Sequence, residues 1–138
     1  MSDVSMILRR IGSTLSTEVA PKLEGDYSAG HASMAGLLAG MAADLWDRQV
    51  DLLVNEIKAM RALLEAGGVT AKAGEPASFK VSDLTSVRNE LAEQLITLQA
   101  HLEQADDAAS KALNTQIWAH LLTTCAARMP SPPQFNEA

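Results

Sequence analysis

Residues 27–65 read YSAGHASMAGLLAGMAADLWDRQVDLLVNEIKAMRALLE, and this stretch decides the fold. Ala32, Gly36, Ala39, Ala43, Trp46, Val50, Leu53, Ile57, Met60 and Leu64 recur at alternating intervals of four and three. That is the seam of helices packed side by side. A second stripe, Met34, Leu38, Met41, Leu45, Leu52 and Leu63, lies beside the first at about 100° per residue. The far side carries Asp44, Asp47, Arg48, Asp51, Asn55 and Lys58, which suit water. The spacing therefore predicts one very long amphipathic helix over residues 27–65.

Length sets the next expectation. At a rise of 1.5 Å per residue the helix spans about 58 Å. A compact chain of this size is a globule about 37 Å across. Either the helix kinks near Gly36 and Gly40, or a second subunit covers the overhang. The second is preferred, because both stripes pass the glycines without a change of phase. The two halves also differ. Residues 29–43 are mostly Ala, Gly and Ser, whereas residues 45–64 are large. Small residues admit either a close neighbouring helix or a ligand; close packing is expected, because interiors leave few voids.

The rest of the chain supplies shorter helices. Asp3 suits an N-cap, and Val4, Leu8, Ile11, Leu15 and Val19 form a seam that Pro21 ends. Gly67-Gly68 stops the long helix. Residues 67–81 are long for a helix-to-helix link, with Phe79 and Val81 as candidate anchors. Ser82 suits the cap of a third helix with Leu84, Val87, Leu91, Leu95, Leu98 and Leu102 inside. Asp106-Asp107 suits the start of a fourth, whose apolar face holds Ile117, Trp118, Leu121, Leu122, Cys125 and Met129. The reading is all-α: an antiparallel bundle of about four helices in one domain, residues 1–129. The third helix is expected to run back along the large-residue half, and the first and fourth to cover the Ala/Gly half. Residues 130–138 read as a Pro-rich flexible tail.

Composition removes several functions. Of 138 residues 47% are hydrophobic but only 4% aromatic, so the core must be aliphatic. The net charge is −6, and the only basic cluster is the pair Arg9-Arg10. Nucleic acid and anionic membrane surfaces both need more positive charge. No uncharged run reaches the roughly 20 residues of a membrane span. The first residues lack the pattern of a signal peptide. A single cysteine excludes an intramolecular disulfide. A cytoplasmic setting is the expectation.

No catalytic motif, cofactor fingerprint or metal-ligand spacing occurs. Glu-x-x-His, the pair that di-metal helical bundles use, is absent. The candidates for ligand contact are His31, Glu56 and Trp46. Glu56 interrupts the second apolar stripe, where a carboxylate needs a partner or water; if the second and third helices form a hairpin, Arg88 can reach it. Glu90, Gln94, Thr97 and His101 read as a solvated flank, and His120 as surface. Met34, Gly36, Leu38, Gly40, Met41 and Leu45 are the interface candidates. The function these features favour is a non-enzymatic, self-associating binding or scaffold protein, a dimer or higher oligomer, with an unidentified protein partner as a further possibility. The alternative is a small-ligand-binding or metal-assisted enzyme with a pocket between helices.

Overall fold

The computed structural model describes residues 3–131. The rest of the Pro-rich tail, residues 132–138, lies outside them. The described residues form α1 (Val4–Thr14), α2 (Ser28–Ala66), α3 (Val81–Gln104) and α4 (Ala108–Arg128), and no strand. The all-α bundle with one long helix is present, and α2 passes Gly36 and Gly40 without a break. No helix among the described residues is long and apolar enough to cross a membrane. Contacts divide the chain into two compact units: residues 3–48 with 130 and 131, and Gln49–Met129.

In the first unit α1 starts where the sequence predicts. Asp3 caps it by accepting from the Ser5 and Met6 backbone N–H groups. These bonds hold its carboxyl below the usual range, the Ser5 hydroxyl contributing most. Pro21 cannot donate to a helical ladder. The chain accommodates it by widening into a π turn, Leu15–Val19, and then tightening into a 3₁₀ turn, Ala20–Leu23, with Pro21 near its start. Gly25, at φ 89°, reverses the chain. The buried side of α1 differs from the predicted seam. Ser5 and Gly12 are buried, whereas Val4 and Ile11 are exposed.

The reason is a crossing at backbone distance. A Cβ on Gly12 would stand 2.7 Å from the Gly36 carbonyl oxygen. A Cβ on Gly36 would collide with the Ser16 hydroxyl. The small residues of α2 are thus met by α1 of the same chain, in antiparallel register, with Arg9 Nη1 reaching Asp44 Oδ1 at 2.9 Å. Trp46, expected on a core-facing seam, is 60% exposed, and Ala43 occupies the closed position instead. A crossing set by glycines leaves no gap for an indole.

The second unit is filled by large side chains. Met60, Leu64, Leu84, Leu91 and Ile117 are almost wholly enclosed, and the predicted seam of α3 lies entirely in this core or against it. α2 closes with a Schellman motif: Val69 N–H donates to Leu64 O at 2.9 Å and Gly68 N–H to Glu65 O at 2.9 Å. Gly68, at φ 70°, takes the left-handed position this motif requires.

Three placements differ from expectation. First, α3 runs in the same direction as α2 rather than back along it. Arg88 meets Glu56, and ten residues further on Leu98 lies where a Cβ on Gly67 would stand, 2.5 Å away. The link explains this. Residues 69–80 travel back along α2, tied by Arg61 to the Gly74 carbonyl at 2.7 Å. Gln94 grips the same link at both ends of its amide, donating to Thr70 O and accepting from Lys72 N–H. Ala73 is the buried anchor of the link; Phe79 and Val81 stay exposed. Gln94 is therefore a structural clamp, not part of a solvated flank. Second, Ser82 does not cap α3; the Ser78 hydroxyl accepts from Lys80 N–H and donates to Asp83. Third, α4 packs on the large-residue half of α2, antiparallel to it. α4 starts where Asp106-Asp107 mark it, and Asp107 caps it.

Candidate functional site

Glu56 is the one acidic side chain that the second unit buries, at 8% exposure. Helical spacing puts it in line with Leu52 and Leu63 on the packed side of α2, so its charge must be met inside the protein. Arg88 of α3 donates through Nε to Oε1 at 2.9 Å. Arg128, in the last turn of α4, donates through Nη2 to Oε2. Each carboxylate oxygen thus has its own guanidinium, and Glu56 holds three helices to one point. Arg88 is itself oriented by Asn89, whose Oδ1 accepts from Nη1 at 2.9 Å.

Beside this cluster, between α2 and α4, lies a cavity of about 310 Å³. Leu52, Ala59 and Ala127 give its apolar surface, and Asn55, Thr123, Thr124, His120, Glu56 and Arg128 its polar one. His120 is half-buried, and its pKa lies below the ordinary 6.5. Burial is the main cause, the positive charge of Arg128 adds to it, and Glu56 opposes it. The ring is therefore held neutral, with one nitrogen a donor and the other an acceptor.

Arg88 was legible as a partner; Arg128 and His120 were not. The signal was present in α4. Taking 100° per residue, His120, Thr123, Thr124 and Ala127 share one side of the helix, and Trp118, Leu121, Leu122, Cys125 and Met129 the other. The apolar side was assigned to the core because such stripes usually are. The structure turns inward the buried Ile117 together with Leu113 and the half-buried His120, Thr124 and Ala127, while Trp118 is 53% and Leu122 70% exposed. Cys125 is exposed as well. A buried carboxylate has two oxygens to satisfy, and a second arginine was the missing element.

The other predicted site residues lie in the first unit. His31 is exposed, its ring edge-on to Tyr27 with centroids 4.7 Å apart. Met34 and Leu38 are exposed, Met41 and Leu45 half-buried. Gly36 is occupied by α1, and Gly40 opens with Met41 onto a groove that also holds Arg9 and Asp44. The carboxyl of Asp44 is held below its usual range by the Ser131 hydroxyl first and Arg9 second. Among the described residues no three of His, Cys, Asp and Glu are grouped as metal ligands would be.

Comparison with protein-family models, with curated proteins and with solved structures finds no match to this chain.

Proposed function

We propose that this chain is a non-enzymatic, cytoplasmic protein that associates with copies of itself and serves as a binding or scaffold subunit. The observation that carries the reading is the open apolar side of α4: Trp118, Leu121, Leu122 and Met129 stand together in solvent while the polar side faces inward. A helix at the edge of a lone soluble bundle is oriented the other way. Contiguous exposed apolar surface marks an interaction site.

A second copy is the partner that charge favours. The chain carries −6, so two copies repel wherever carboxylates meet. No Asp or Glu occurs from residue 108 to 136, or from 28 to 43, the run that carries the exposed Met34 and Leu38. α3, rich in acids, exposes few large apolar side chains, Val81 and Ile96 among them. α1, which carries no acid either, adds Val4, Met6, Ile7 and Ile11, so most of the exposed apolar side chains lie where like charges do not oppose contact.

Native mass spectrometry of the full chain tests the reading. A dimer or higher oligomer is expected, and Leu122→Glu should return it to a monomer of unchanged helix content by circular dichroism. A monomeric wild-type protein overturns it.

A further inference from the structure

The Glu56 cluster leaves a charge unbalanced. Two guanidiniums, Arg88 and Arg128, share one carboxylate. Arg88 approaches from α3; Arg128 lines the cavity. A guanidinium has five donors, and the bond to Glu56 uses only one of the five that Arg128 has. Next to it stand the neutral ring of His120 and the hydroxyls of Thr123 and Thr124. Opposite lie Leu52 and Ala59. Glu56 lines the cavity too, but Arg88 meets its charge from outside, so the end at Arg128 is left positive; the floor is apolar, and the volume is at the small end of the range of ligand sites. A cation would have to displace an arginine from Glu56. In the larger hollow beneath residues 75–79, about 660 Å³, Arg61 already meets the Gly74 carbonyl and Glu75, and the other cation of the lining, Lys58, is exposed to solvent.

We propose that this cavity binds a small organic carboxylate, its head group on Arg128 and His120 and its short aliphatic body on Leu52, Ala59 and Ala127. Arg and carboxylate match in geometry as well as charge. The site does not rest on self-association, because it lies on the side of α4 opposite to Trp118 and Leu122. Binding is linked to the proton on His120, whose charged neighbours are Glu56 from α2 and Arg128 from its own helix. A bound anion favours the imidazolium, so affinity rises as the pH falls below neutral for as long as the ligand's carboxylate stays ionised.

Three probes of one size, butyrate, butanol and butylamine, are titrated into the full-length protein while the amide resonances of Thr123 and Thr124 are followed. Saturable shifts with butyrate alone are expected. Arg128→Gln should weaken butyrate binding about tenfold, the scale of one charge-assisted hydrogen bond. Ala59→Leu, which fills the floor without touching a charge, should abolish it even if Arg128→Gln fails to fold. Equal shifts with butanol would mean an apolar hollow without anion recognition, and no saturable shift with butyrate would mean no site; either result overturns the proposal.

Discussion

The two halves of α2 solve one packing problem in opposite ways. In residues 28–48 the helix meets α1 by removing side chains, so that Gly12 and Gly36 bring two backbones together. In residues 49–66 it meets α3 and α4 by filling space with Leu53, Ile57, Met60 and Leu64. The first half tolerates no added atom at the crossing, and the second no lost one. The halves also treat charge differently. Asp44 and Arg9 pair at the surface, where such pairs contribute little. Glu56 is enclosed, and its two arginines reach it from the edges of α3 and α4. A continuous helix can therefore carry two unrelated modes of cohesion, and substitutions should tell them apart.

The largest effect is expected from removing volume in the second half. Leu64→Ala should cost about 3 kcal/mol in a denaturant melt, because its neighbours cannot collapse into the gap. A loss under about 1 kcal/mol would mean that this half is loosely packed and that the contrast fails. Arg88→Ala comes next, at about 2 kcal/mol. Breaking a buried pair outright costs about 3–5 kcal/mol, but here Arg128 still holds the second oxygen of Glu56. Adding Glu56→Gln to Arg88→Ala should deepen the loss, since Arg128 is then left without its carboxylate. Gly36→Ala should cost about 1–3 kcal/mol by overpacking. Gly40→Ala, one turn on and open to space, should instead stabilise by up to about 1 kcal/mol through helix propensity. Equal effects at the two glycines would show that α1 does not seat on Gly36.

Much of this architecture was legible in the sequence because local chemistry and tertiary packing agree. The four-three spacing located α2. Gly67-Gly68 stopped it, Asp3 and Asp107 capped their helices, and the leucines of α3 found the core. What was misread depended on choices between equally good local patterns. The direction of α3 turned on the link at 67–80. Its length was noticed, but length is the mark of a crossover between parallel neighbours, since antiparallel ones need only about 2–8 residues. Beside the link, Gln94 of α3 takes the place of a neighbouring strand, a role no spacing rule anticipates. The orientation of α4 turned on Glu56. Apolar periodicity favoured one side of that helix, and the unmet carboxylate drew in the other. Glu56 was read correctly as needing a partner, and Arg88 as one; the need for a second was not followed through. Trp46 was placed inside by its register alone, which ignores how closely glycines draw the neighbouring helix.

The smallest expected effect is also the one that separates the halves by pH. In the first unit the groups with shifted affinity for protons are carboxylates, Asp3, Asp26 and Asp44, all held below 3.8 by hydrogen bonds to their charged forms; Asp107 behaves alike in the second. Their contribution is complete above the unfolded value and disappears as the pH falls through the lower folded one, so it is lost only in strong acid. His120 acts in a different window. Its folded pKa lies below 6.5, so between the two values the unfolded chain binds more protons than the folded one. Stability that is complete above 6.5 therefore falls as the solution is acidified through that window. Thermal melts between pH 7 and pH 5 should show a shallow decline that His120→Gln removes and that Asp44→Asn leaves in place. A decline that survives His120→Gln would assign the pH response elsewhere and leave the polar side of α4 as ordinary packing.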